Sequence, residues 1–242
     1  MAHPPKAAYK RILLKLSGEA LMGDLKFGIE HQACHQIAQS IKEVYDLGIQ
    51  IGIVVGGGNI FRGAHAEDFG FARTPADHIG MLATTINGLV LQQALSSLGI
   101  ESRVMSALIT DSLVEKYNWN HAVHSLHKGT PLIFVGGTGN PYFTTDSAAA
   151  LRASEINAEV LLKATKVDGV YNDDPKKNPN AVRLPKLTYS DALTQRLNVM
   201  DATAIALCRE NKIPICVFNL FEKGAMLKAV TGQEIGSLVT GG

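Results

Sequence analysis

The chain has 242 residues, of which 46% are apolar, 19% charged and 6% aromatic. That composition excludes disorder, collagen and a disulfide-stapled miniprotein, and folding at this length hides roughly 70 to 75% of the unfolded surface without help from a metal or crosslink. Lys and Arg number 23 against 22 Asp and Glu, a net charge of +1 that lacks the basic excess of a protein living on nucleic acid or anionic lipid, so neither partner is expected.

The first residues, Met1-Ala2-His3-Pro4-Pro5-Lys6, carry no apolar signal stretch. Residues 1–8 read as a disordered arm and residues 9–242 as one domain. Residues 11–16 form an apolar run ending at Ser17-Gly18 and predict a buried strand, as do 51–55 before Gly56-Gly57-Gly58 and 132–135 before Gly136-Gly137. Between them, helical periodicity runs over 36–47, 79–98 and 122–128, closed by Gly48, Gly99 and Gly129 at C′ positions. A helix over 145–157, a strand over 160–163, a polar turn-rich stretch over 172–179, a helix over 201–211 and a strand over 213–218 complete the order. This alternation predicts an α/β fold with an open, mostly parallel sheet covered by helices on both sides, and places ligands beyond the carboxyl ends of the strands, where the glycine-rich turns fall.

Cys34, Cys208 and Cys216 are widely spaced in apolar or helical contexts, without Cys-x-x-Cys or a zinc-spaced histidine partner, and read as reduced core thiols of a cytoplasmic protein. His121, His124 and His127 spread over a solvated helix face without a nearby carboxylate. No apolar run approaches the ~18 residues of a membrane span.

Four segments hold chemistry-bearing residues. Lys15-Leu16-Ser17-Gly18 at a strand end offers an ammonium and backbone amides to an anion, although by itself it also fits an ordinary turn. Gly56-Gly57-Gly58-Asn59 carries an entropic cost that close approach of a ligand to the main chain would explain, and Arg62 follows with a bidentate fork suited to phosphate. Residues 136–146 put glycines, Thr138, Thr144 and Thr145 around a helix N-terminus, where the macrodipole favours negative charge, and read as a phosphate or carboxylate cradle; the alternative, an N-cap by Thr144 or Thr145 that binds nothing, leaves the glycines unexplained. Lys163, Thr165, Lys166, Asp168, Tyr171, Asp173 and Asp174 follow a buried strand and could meet a nucleotide, or form a charged surface turn. The Walker A pattern, the dinucleotide glycine fingerprint and the Gly-x-Ser-x-Gly elbow are all missing.

Together, residues 9–21, 56–63, 77–84, 137–149 and 162–171 resemble the bacterial uridylate kinases of the amino acid kinase family, in order and over about residues 9–240. The resemblance implies an eight-stranded three-layer αβα sandwich, a homohexamer, and transfer of the ATP γ-phosphoryl group to UMP in pyrimidine biosynthesis, with magnesium carried by ATP and no metal ligand assigned in the protein. It assigns Lys15, Leu16, Ser17, Gly18, Gly58, Arg62, Thr165, Tyr171 and Asp174 to ATP. It assigns Gly57, Asp77, Thr138, Gly139, Asn140, Pro141, Tyr142, Phe143, Thr144 and Thr145 to UMP. Lys15, Asp146 and Asp201 are the implied catalytic set. The family is commonly activated by GTP and inhibited by UTP, and Gly23, Asp24, Leu25, Lys26, Phe27 and Gly28 match the loop of the GTP response, with fewer glycines and threonines than the family pattern. A carboxylate or carbamate acceptor on the same fold, or a non-catalytic nucleotide sensor, are the alternatives; the 138–145 loop and the retained catalytic set stand against them.

Overall fold

The structure, a computed structural model, describes residues 5–61, 70–109, 112–175 and 177–241. In chain order the elements are β1 (Arg11–Leu16), α1 (Gly18–Leu21), α2 (His31–Tyr45), β2 (Gln50–Val55), α3 (Arg73–Ser97), β3 (Arg103–Ser106), β4 (Glu115–Lys116), α4 (Trp119–His127), β5 (Leu132–Val135) and α5 (Thr145–Glu155). They continue with β6 (Val160–Thr165), β7 (Val170–Tyr171), β8 (Arg183–Leu184), β9 (Lys186–Thr188), α6 (Tyr189–Thr194), α7 (Ala202–Glu210), β10 (Ile215–Asn219), α8 (Ala225–Val230) and β11 (Ser237–Thr240).

Among the described residues, nine strands join in the order β4-β3-β5-β2-β1-β6-β10-β11-β9. Every neighbouring pair is parallel except β10 with β11. The expected mostly parallel sheet is therefore present, with nine strands rather than the eight that the resemblance implies. Strand alternation divides the core in two. Ile12, Leu14 and Leu16 of β1 pack with α1, α2, α3 and α8, whereas Leu13 faces α4 to α7 on the opposite side. Lys15 shares the parity of Leu13, so the pleat alone directs it toward the α5 layer. From β1 the chain steps to β2 on one side, and the later β6 adds on the other, which makes the carboxyl end of β1 a topological switch point.

Several boundaries differ from the sequence reading. The helix expected to begin at residue 79 begins at Arg73, because Pro75 falls in the first turn, where a missing N–H costs nothing. α2 likewise starts at His31 rather than residue 36. The polar 172–179 stretch lies between β7 and β8, an antiparallel pair; Asn172 N–H donates to the Val182 carbonyl at 3.1 Å and Val182 N–H to the Asn172 amide oxygen at 2.8 Å. The far end of the expected 1–8 arm is anchored, since Ala7 packs on the core and Ala8 N–H donates to Val230 O at 2.9 Å. All three cysteines are free and buried, and His121, His124 and His127 are exposed along α4.

Candidate active site

Parallel pairing sets Lys15 directly opposite Lys163 of β6, both pointing to the same face. Two ammonium groups side by side repel, and the fold answers with one carboxylate. Asp146, in the first turn of α5, takes Lys15 Nζ at 2.7 Å and Lys163 Nζ at 3.0 Å, one on each oxygen. Lys163 Nζ also donates to the Val199 carbonyl. Burial works to raise the Asp146 pKa, but the two ammonium groups outweigh it and hold the carboxyl below its ordinary value. Burial is the largest influence on Lys163 and lowers its pKa, with Lys15 adding to the effect and Asp146 and Asp201 opposing it.

Asp201 supports this cluster from α7. It caps that helix through Ala204 N–H at 2.8 Å, and it accepts from the Thr144 hydroxyl and, at 3.0 Å, from Ser147 Oγ. Thr144 in turn caps α5, its hydroxyl oxygen accepting from Asp146 N–H at 3.0 Å. The start of α5, and with it Asp146, is thereby tied to the start of α7.

The glycine turns also pack tightly against the chain itself. A Cβ on Gly57 would sit 2.6 Å from Gly80 O of α3, and one on Gly18 would sit 2.4 Å from the Asn59 amide oxygen. Both turns are framed by a buried amide pair. Asn59 Nδ2 donates to Asn87 Oδ1 at 3.1 Å and Asn87 Nδ2 to Asn59 Oδ1 at 2.7 Å; Asn87 also donates to Gly56 O at 2.7 Å and Asn59 to Gly28 O at 2.8 Å. Gly28 N–H returns a bond to Asn59 O at 2.9 Å, so the 23–28 loop is joined to the glycine turn.

Next to the cluster lies a cavity of about 410 Å³, lined by Gly57, Gly58, Asp77, Gly137, Asn140 and Phe143 among others, and by Thr144 and Thr145 immediately before Asp146. Asp77 on α3 crosses to the 138–145 strap by accepting Tyr142 N–H at 2.8 Å. Within the strap, Thr138 Oγ1 instead exchanges bonds with the Asn140 backbone at 3.2 Å, and Tyr142 is exposed. Thr138, Gly139, Pro141 and Tyr142 do not line this cavity.

A second cavity of about 500 Å³ is lined by Tyr171 and Asp174 together with residues 195–198. Thr165 lies outside its lining, and its hydroxyl donates to Val167 O at 2.7 Å. Tyr171 OH donates to Asp168 at 2.7 Å. Arg62 falls outside the described residues.

The sequence reading gave no role to Asn87 or Arg73, and placed Lys163 only among the residues that could meet a nucleotide. Lys163 becomes a partner of Lys15 only through strand register. Asn87 carried a legible signal, a polar residue four and eight positions before the buried Leu91 and Leu95 on one stripe of α3. Arg73 lay before the point where helical periodicity becomes visible.

The model of the amino acid kinase family matches residues 10–219. The chain belongs to the amino acid kinase family. It is 58% identical over 236 residues to a uridylate kinase of Protochlamydia amoebophila (strain UWE25), covering 96% of this chain and 94% of that relative. A uridylate kinase of Methylococcus capsulatus is 54% identical over 234 residues, with 97% and 98% covered. Among solved structures, a UMP kinase from Bacillus anthracis superposes with a TM-score of 0.93 at 42% identity over 96% of both chains. One from Ureaplasma parvum gives 0.90 at 41%, covering 96% of this chain and 98% of that one. The fold is therefore shared with these two UMP kinase structures over nearly the whole chain.

Proposed function

We propose that the chain is a uridylate kinase that transfers the γ-phosphoryl group of ATP to UMP, giving UDP and ADP in pyrimidine biosynthesis. The observation that carries the site assignment is Asp146 held between Lys15 and Lys163, directly after the residues Thr144 and Thr145 that line the Asp77 cavity. Near-full-length identity to proteins named uridylate kinase supports the acceptor. In this reading Lys15, Leu16, Ser17, Gly18, Gly58 and Arg62 meet the ATP phosphates, and Thr165, Tyr171 and Asp174 its nucleoside. Gly57, Asp77 and residues 138–145 hold UMP.

Phosphoryl transfer asks for positioning and for cations against the equatorial oxygens more than for a strong base. An oxygen of the UMP phosphate, ionised at neutral pH, forms the new bond to the γ-phosphorus as the bond to the ADP oxygen breaks, and no proton need move. Lys15 and Lys163 supply fixed positive charge, and Asp146 keeps both in place at the strand ends. Among the described residues no three His, Cys, Asp or Glu converge as a metal cage. Asp146 is engaged by lysines and Asp201 by hydroxyls and an amide, and in this reading magnesium arrives on the ATP phosphates. Bound there, the ion would neutralise phosphate charge.

A homohexamer, GTP activation, UTP inhibition and a cytoplasmic location belong to the same reading. Leu82 and Ile86, half exposed four residues apart on α3, support assembly, and the bonds between Gly28 and Asn59 give the 23–28 loop a route to the glycine turn. No helix among the described residues is long and apolar enough to cross a membrane.

The test is ADP release measured across UMP, CMP, dUMP and acetylglutamate. UMP is expected to dominate. Turnover of acetylglutamate in its place would move the acceptor to a carboxylate, and ATP binding without turnover of any of the four would make the protein a sensor. Lys15→Ala should lower the rate about 10² to 10³-fold, the scale for one preorganised donor.

A further inference from the structure

Asp77 is held by more than the strap. Arg73, one helical turn earlier on α3, places Nε 2.9 Å from Asp77 Oδ1 and 2.8 Å from Oδ2, while Tyr142 N–H approaches Oδ2 at 2.8 Å. The Arg73 guanidinium carbon also lies 5.4 Å from the centre of the Tyr142 ring, within cation–π reach. Tyr142 stands at φ +72°, a left-handed conformation that a bulky residue adopts only when its surroundings compel it. One arginine thus touches both sides of the contact between α3 and the strap. Arg73 is itself more than half exposed, whereas Asp77 is largely covered, so the arginine reaches from the solvent side to a covered carboxylate.

We propose that Arg73 is a positioning residue for the acceptor nucleotide: it orients the Asp77 carboxylate and clamps Tyr142, holding the 138–145 strap against α3 so that the acceptor cavity keeps its shape. The inference rests on the reading of that cavity as the UMP site. Arg73 acts through Asp77 and Tyr142, which the same reading assigns to UMP, and has no direct part in the transfer. Among the described residues the Lys15–Asp146–Lys163 cluster shares no hydrogen bond or ion pair with it, so the clamp acts on acceptor binding and leaves the chemistry and the ATP side alone.

Steady-state kinetics of the full chain test it, with Arg73→Ala, Arg73→Lys, Tyr142→Leu and the Arg73→Ala/Tyr142→Leu double variant, varying UMP and ATP separately. Arg73→Ala should raise the KM for UMP about tenfold, the loss of one partly exposed charge-assisted bond, with kcat and the KM for ATP within about twofold. Arg73→Lys, which keeps the charge without the planar fork, should fall between wild type and Ala. In the double variant the increases in UMP KM should be less than multiplicative, because both substitutions open the same clamp. An unchanged UMP KM, a parallel loss in kcat and ATP KM with a lowered Tm, or strictly multiplicative effects would each overturn the assignment. Failure of the wild-type chain to phosphorylate UMP would instead overturn the functional reading beneath it.

Discussion

Replacing Asp146 by Asn isolates the electrostatic argument from packing, since the side chain keeps its size and loses its charge. Lys15 and Lys163 would then face each other across adjacent strands with side chains only 11% and 14% exposed and no shared counter-charge. Leaving a buried ionic partner uncompensated costs on the order of 3 to 5 kcal/mol. The neighbouring Asp201→Asn is the internal control: an amide oxygen can still accept from Ala204 N–H and Ser147 Oγ, so only about 1 kcal/mol should be lost. Urea unfolding of wild type and both variants at pH 7.5, at one fixed protein concentration because assembly couples to stability, gives the comparison directly. The pH dependence adds a second check. Two ammonium groups hold the folded Asp146 pKa below its ordinary 3.8 despite burial, so its stabilisation is complete above that pH and is lost as pH falls through the lower folded value. The wild-type advantage over Asp146→Asn should therefore be flat from neutral pH down to about 4 and shrink only below it. A loss under about 1 kcal/mol for Asp146→Asn, or a larger one for Asp201→Asn, would refute the view that the carboxylate exists to hold the lysine pair.

Burial lowers Lys163 from its ordinary 10.5, so activity should fall on the alkaline side below that pH, and Lys163→Arg, which stays charged, should push the fall to higher pH; an identical alkaline limb in both would place the titration elsewhere. Gly57→Ala would drive a methyl group to 2.6 Å from Gly80 O and should cost about 1 to 3 kcal/mol in unfolding experiments, whereas a neutral effect would mean that the turn is free to move away from α3. Burial raises the thiol of Cys34 to about 11 and those of Cys208 and Cys216 to about 12, so a thiolate-seeking reagent at pH 7 should label none in the native chain and all three after unfolding.

The order of strands and helices was legible because each of the longer buried strands is a short apolar run and α2, α3 and α4 each end at a glycine, and both signals are local; α5 and α7 end instead at Asn157 and Lys212 in the left-handed region. Gly48, Gly99 and Gly129 do stand in the left-handed region that the helix ends require. Strands of two or three residues such as β4, β8 and β9 carry too few positions for a period, and they exist because neighbouring strands supply partners for their backbone groups. The glycine turns stood out by residue type and position, since successive glycines at strand ends carry an entropic cost; Lys15 by itself also fitted an ordinary turn, and Asp146 entered only through the resemblance to the amino acid kinase family. The pairing of Lys15 with Lys163, 148 positions apart, could not be read in this way, because it follows from parallel register between β1 and β6 and has no trace in local sequence. The same holds for Asn59 with Asn87 and for Arg73 with Tyr142: local patterns decide which face a side chain occupies, whereas the partner across the gap is decided only when the chain has packed.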